Sequence, residues 1–205
     1  QISEWNPKAK KFSVIQNGYE DDLFNLKSEP LGIKEKLGLF GKMAVFVGAL
    51  GPWHGTDELA EIAKVNPNIN VVVAGGGYGH NLPKLRNLHH IGRLERHEVP
   101  GLLAEADIGL APYPNVDYGF SPLKIYEYMG CNLPVVATLL PSVEEATQGH
   151  ALLVRPGQMA DAISKIINNE KLLSELSDSA FKYASRERTW SKTIEKTIEL
   201  YNGLL

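Results

Sequence analysis

Six short apolar runs punctuate the chain from residue 43 onward: MAVFVGAL (43–50), INVVVAGG (69–76), HHIG (89–92), DIGLAPY (107–113), LPVVATL (133–139) and HALLVRP (150–156). Most are continuous rather than alternating, which is the pattern of strands buried on both faces of a parallel sheet. Between them lie stretches with helical spacing: TDELAEIAKV (56–65), RHEVPGLLAEA (96–106), SPLKIYEYMG (121–130) and MADAISKIIN (159–168). Two more follow, EKLLSELSDSAFKYASR (170–186) and SKTIEKTIELYNGLL (191–205). Strand–helix alternation at this spacing builds βαβ units with right-handed crossovers. The expected fold class is therefore α/β, a Rossmann-like doubly wound parallel sheet of about six strands. Residues 1–42 are polar apart from FSVIQNGYEDDLF, and EPLGIKEKLGLFGK reads as a linker helix with glycine breaks.

An open parallel sheet binds ligands beyond the carboxyl ends of its strands, where the strand order reverses. The loops that matter are then ALGPWHG, GGGYGH, GRLER, PYPNVDYGFSP and TLLPS. In the fourth, Ser121 suits an N-cap and Pro122 the first helical position, where its missing N–H costs nothing. The next backbone N–H groups, of Leu123 and Lys124, together with the lysine charge, make an anion site. Glu127 lies one turn further on, where a carboxylate can accept hydrogen bonds from a ribose diol. The alternative is a core helix that merely starts at Ser-Pro, with Glu127 solvated. In FVGALGPWHGTDEL, Gly48, Gly51 and Gly55 allow close backbone approach to a ligand and His54 offers a phosphate donor. The alternative there is a turn with Trp53 packed on the core.

Other chemistry is excluded by count and spacing. The glycines of AGGGYGH fail the GxGxxG pattern, because counting from Gly75 the third position is His80, which speaks against a dinucleotide site. The chain has no P-loop and no Gly-x-Ser-x-Gly elbow. Its six histidines form no metal-spaced pair, and the EDD run at 20–22 reads as a solvated turn, so no metal is expected. With 21 basic and 24 acidic side chains the net charge is −3, which implies no nucleic-acid surface. Cys131 stands alone, which suits a reducing compartment. No run approaches the ~18 apolar residues of a membrane span. The chain starts at Gln1 and reads as a piece of a longer protein.

Taken together and in order, these loops resemble the C-terminal, donor-binding domain of GT-B glycosyltransferases, in particular the retaining family 4. The similarity is carried by VIQNGYEDDLF, FVGALGPWHG, VVVAGGGYG, HHIGRLERHEVPGLLAEADIGLAPY, SPLKIYEYMGCNLPVVAT and RERTWSKTIEKTIELY, nearly the whole chain. The resemblance implies one half of a GT-B fold. Residues 1–42 then lead in from an N-terminal acceptor domain, 43–190 form the nucleotide-sugar-binding domain, and 191–205 form a helix returning toward the acceptor domain. It also implies donor-binding roles for Gly48, Ala49, His54, Arg93, Leu94, Phe120, Ser121, Pro122, Leu123, Lys124 and Glu127. Two departures stand out. The family's Arg and Lys for the pyrophosphate are replaced by Ala49 and His54. Of its E-x7-E pair, Glu127 fits the second member while Gly119 holds the place of the first, with Tyr118 or Asp117 nearby. Arg93 and Leu94 match where the family holds the nucleobase, although Arg93 can instead pair with Glu95 or Glu98. Asn132 stands where the family has Gly and fits a left-handed helix end.

The implied activity is transfer of a sugar, with retention, from a nucleotide diphosphate sugar (UDP- or GDP-linked) to a glycan or lipid-linked acceptor. No cofactor and no obligatory metal are implied. The catalytic groups are not assigned and can lie in the acceptor domain. A chain comprising only the donor half is expected to bind nucleotide but transfer no sugar. The implied location is cytoplasmic, with peripheral association at the inner face of the membrane open to the full-length protein. A nucleotide-sugar epimerase and a non-catalytic nucleotide-binding module remain alternatives. A protonated His54 on phosphate would make affinity fall as pH rises through about 6.5.

Overall fold

The computed structural model describes residues 13–51, 54–77, 82–114 and 121–203. Each apolar run yields one strand: β1 (Met43–Val47), β2 (Asn70–Ala74), β3 (Leu88–Gly92), β4 (Ile108–Ala111), β5 (Val135–Thr138) and β6 (Leu152–Val154). All neighbours pair in parallel, in the order β3-β2-β1-β4-β5-β6. The continuous apolar runs are explained by burial on both faces. Met43 and Val45 join one layer with Val72 and Val135, while Ala44 and Phe46 join the other with Val71, Val73 and Val136. All strands except β3 are shorter than their runs, because residues such as Leu50 and Leu133 are buried in loops beyond the ladder. Apolarity reports burial, not pairing.

The helices are α1 (Ile33–Leu37), α2 (Asp57–Val65), α3 (Val99–Leu103), α4 (Leu123–Gly130), α5 (Pro141–Thr147), α6 (Met159–Ile166), α7 (Glu170–Glu187) and α8 (Trp190–Asn202). Two differ from expectation. The stretch 96–106 is split into a 3-10 turn, Arg96–Glu98, and the short α3. Its Gly101 lies against the Glu29 carbonyl, where a Cβ would come within 2.8 Å of the oxygen. α5 lies where only a loop was expected; Pro141 sits in its first turn, where a missing N–H costs nothing. No helix among the described residues is long and apolar enough to cross a membrane.

The end of α4 has the expected left-handed residue, Asn132 at φ 55°. Leu133 N–H donates to the Tyr128 carbonyl and Asn132 N–H to that of Met129, each at 3.0 Å, a Schellman closure. The segment before β1 is tied into the same body. Tyr19 and Phe24 are buried in the core, and Tyr19 bridges to Thr189 ahead of α8.

Tyr128 of α4 reaches under the sheet and accepts a hydrogen bond from Val47 N–H at 2.8 Å, which fixes the end of β1. Gly109 of β4 makes room for it: a Cβ there would lie 2.5 Å from the ring. Gly109→Ala should therefore destabilise the fold by about 1–3 kcal/mol, as overpacking of a tight core does. Urea unfolding measures this, and an unchanged midpoint would refute the packing account.

Candidate functional site

In this strand order β1 lies between β2 and β4, so the chain changes direction across the sheet at the β1–β4 boundary. The loops after those two strands separate there and leave a crevice. On the β1 side stand Gly48, Ala49 and His54. On the β4 side stand Tyr113 and the start of α4. The two sides come close at Gly55, where a Cβ would lie 3.3 Å from the Tyr113 carbonyl. Thr138 of β5 holds the β4 end by accepting Tyr113 N–H at 2.9 Å.

An open cavity of about 530 Å³ occupies the carboxyl ends of β1, β2 and β3, lined by Val47, Gly48, Ala49, Ala74, Gly75, Gly76, Gly77, Arg93, Leu94 and Val99. It brings together four residues singled out from the sequence: Gly48, Ala49, Arg93 and Leu94. Its walls are cross-tied backbone. Gly48 N–H donates to the Ala74 carbonyl at 2.9 Å, Leu50 N–H to Gly76 at 3.2 Å, and Gly75 N–H to Gly92 at 2.7 Å. Arg93 is exposed on the rim and forms no ion pair with Glu95 or Glu98 among the described residues. Glu98 instead accepts the Glu95 backbone N–H at 2.8 Å.

Lys124 is the unusual member. Its Nζ is shielded from solvent without a hydrogen-bond partner among the described residues, the residue's remaining exposure lying elsewhere along it. The amine lies 4.2 Å from the centre of the Phe46 ring and 5.7 Å from that of Tyr113. Gly48 stands directly over it, since a Cβ there would be 2.9 Å from Nζ. Burial lowers the Lys124 pKa to about 7, with the carboxylate of Glu127 opposing the shift. A buried amine held by faces of aromatic rings is ready for an anion.

His54 adjoins the same rings, 5.8 Å from Phe46 and 6.4 Å from Tyr113 between centroids. Its Nδ1 is 2.7 Å from the Ala49 carbonyl and so carries the hydrogen. Burial, then the charge of Lys124, lowers its pKa to about 4. The imidazole is neutral near pH 7, and the affinity step anticipated near 6.5 has no source in a solvent-like histidine here. Desolvation and a neighbouring cation were both invisible in sequence.

The start of α4 also departs from expectation. Pro122, not Ser121, is the cap residue, at φ −84° and ψ 78°, and the helix begins at Leu123. Leu123 N–H is already taken by the Ser121 carbonyl at 3.0 Å. Ser121 Oγ turns away to accept Asn17 N–H at 3.3 Å. Glu127 is nearly buried, its side chain 13% exposed, rather than solvated. Burial raises its pKa and Arg96, 3.1 Å away, opposes the rise. Phe120, Tyr118, Asp117, Gly119, Trp53 and His80 lie outside the described residues. No group of three or more His, Cys, Asp or Glu among the described residues is placed to hold a metal ion.

A doubly wound parallel sheet with its cleft at the strand-order reversal defines a Rossmann-like ligand-binding unit. The chain belongs to the group 1 glycosyl transferases, whose family model matches residues 41–169. The Bacillus subtilis protein TuaH, named for teichuronic acid biosynthesis and glycosyl transfer, is 26% identical over 207 residues, 95% of this chain and 51% of the relative. The D-inositol 3-phosphate glycosyltransferase of Mycolicibacterium smegmatis is 23% identical over 228 residues, 98% of this chain and 49% of the relative. The chain thus spans about half the length of these curated relatives. The fold is that of GT-B glycosyltransferase structures. The crystal structure of Anabaena Alr3699/HepE in complex with UDP-glucose superposes with a TM-score of 0.80 at 20% identity, over 93% of this chain and 57% of that one.

Proposed function

We propose that this chain binds the donor in a retaining glycosyltransferase, which moves a sugar from a UDP- or GDP-sugar to a glycan or lipid-linked acceptor. The observation that carries this reading is the Lys124 amine under Gly48, shielded and without a hydrogen-bond partner among the described residues, where the β1 loop meets the start of α4. Cleavage of the glycosyl–phosphate bond leaves a diphosphate, and a fixed cation stabilises that charge as it develops. Lys124 supplies the charge, with its own backbone amide beside it, since those of Leu123 and Ile125 are taken by the Ser121 and Pro122 carbonyls. Neutral His54 supplies a polar wall that gains a proton only if a phosphate lies against it. Arg93 and Leu94 border the base, and Glu127 accepts from the ribose diol. Attack on the sugar comes from the face the diphosphate leaves, with the acceptor presented by a domain preceding this one in the whole protein.

A thermal-shift screen against UDP-, GDP- and ADP-sugars tests the reading, since a ligand that binds the native state raises stability with occupancy. Glu127→Ala should weaken the best nucleotide by about 1–3 kcal/mol, the range for a lost charged hydrogen bond. No shift with any of the three, in a folded chain, would sink the proposal. Turnover of the donor without acceptor would instead favour the epimerase reading, and binding without turnover in the whole protein the non-catalytic one.

A further inference from the structure

Nothing in the sequence pattern singles out Arg96, yet it touches Glu127, a carboxylate that burial makes costly to leave unpaired. Arg96 opens the 3-10 turn that follows β3 and its adjoining loop. Its Nη1 donates to Glu127 Oε1 at 3.1 Å and its Nε to Glu20 Oε2 at 3.2 Å. Its guanidinium carbon lies 5.2 Å from the centre of the Phe24 ring, which is buried in the core. One planar cation therefore joins α4, the β3–α3 connection and the segment ahead of α1.

We propose that Arg96 is a positioning residue: it sets the Glu127 carboxylate for the ribose diol, while Glu20 and Phe24 hold the guanidinium in place. The inference rests on reading Glu127 as the ribose acceptor. A diol presents two O–H donors at fixed spacing, and a carboxylate receives both only if its plane is fixed and it is ionised. Arg96 takes one lone pair of Oε1 and leaves the other, with Oε2, for the two O–H groups of the ligand, so it orients the carboxylate without consuming it. Its guanidinium never loses its charge and its donors lie in a rigid plane, which a lysine would not reproduce. The Phe24 ring lies beneath the guanidinium, and Glu20 takes a second edge. The two outer contacts limit the guanidinium to few rotamers, so the orientation of Glu127 exists before the ligand arrives.

The test compares UDP or GDP, whichever binds the chain more tightly, with its 2′,3′-dideoxy counterpart by calorimetry. In the wild type the diol should be worth about tenfold or more in affinity, as a charged hydrogen bond is. Glu127→Gln should collapse that ratio toward one. Arg96→Met should collapse it too, while affinity for the dideoxy ligand stays within about threefold of wild type. Equal weakening of both ligands by Arg96→Met, with the ratio kept, would show a merely structural arginine and overturn the proposal. A ratio unmoved by Glu127→Gln would instead defeat the ribose reading itself. Glu20→Gln, at a half-exposed position, provides a second variant should Arg96→Met fail to fold. It should lower the diol ratio in the same direction, and a full wild-type ratio would overturn the role given to the second anchor.

Discussion

Lys124→Met should make the protein more stable and its nucleotide binding much weaker. The two effects have opposite signs because they arise from one buried amine. In the unfolded chain the lysine is solvated, with a pKa near 10.5, while in the fold burial lowers it to about 7. Between those values the unfolded state holds more protons, so stability from this group rises with pH through that window and is poorest below pH 7. Methionine fills the same channel without a charge to desolvate. The variant should gain on the order of 3 kcal/mol near pH 7, with an advantage that shrinks toward pH 10. Subtracting the variant's pH profile of unfolding from that of the wild type isolates this group from other titrations. Affinity for a nucleoside diphosphate should fall by about 10- to 100-fold, because a charge-assisted contact is lost in a site with little water to replace it. The linkage is also visible in the wild type. Near pH 8 the amine is mostly neutral without ligand, and a diphosphate raises its pKa, so binding takes up close to one proton and weakens as pH rises. Calorimetry in two buffers of different ionisation heat measures that proton. Wild-type affinity in Lys124→Met would remove this lysine from the site.

Gly75→Ala should be the most damaging small substitution in the cleft. Gly75 has φ +149°, in the region that favours glycine, and a Cβ there would lie 1.8 Å from the Gly48 carbonyl oxygen. The obstacle is backbone, and that backbone is tied: Gly48 N–H is held by Ala74 and Gly75 N–H by Gly92. Relief requires the β1 and β2 ends to part, which opens the cavity wall and loosens the loop over Lys124. The expected cost is about 3–5 kcal/mol, or a loss on the order of 10 °C in Tm for a domain of this size. Gly48→Ala makes a useful contrast. Gly48 shares the positive φ, +153°, so an alanine there also strains the backbone, but the nearest atom is the far end of the Lys124 side chain at 2.9 Å, so that substitution should cost less stability than Gly75→Ala and disturb binding directly. A Gly75→Ala protein that melts within a degree of wild type would show that the two loops move apart freely.

How legible the molecule was depends on the range of the interaction concerned. The buried strands could be read because a residue covered on both faces must be apolar whatever its neighbours are, so Val71, Val72 and Val73 reveal β2 directly. Asn132 could be read because few residues accept a left-handed φ. The 3-10 turn at Arg96 and the start of α4 at Leu123 could not be read well. Gly101 of α3 packs against the Glu29 carbonyl, 72 positions away, whereas the Leu123 start is local: its N–H donates to the Ser121 carbonyl, a turn that the usual Ser-Pro helix start does not announce.

The candidate site shows the same divide. Local sequence was enough to nominate Gly48, Lys124 and Glu127, since a glycine-rich strand end and a lysine in the first turn of a helix carry their chemistry with them. It was not enough to set their protonation or their partners. His54 is neutral because burial and Lys124, 70 positions away, both disfavour its charge. Glu127 is held by Arg96, 31 positions away, and the same guanidinium reaches 76 positions to Glu20. The sequence by itself determined the strand–helix alternation, the doubly wound class and the loops that meet at the cleft, because burial and backbone conformation are written residue by residue. Only the tertiary structure decided which groups in that cleft are charged and which way they face. Desolvation and Coulomb energy depend on distances between residues far apart in the chain, and those distances exist only once the sheet has formed.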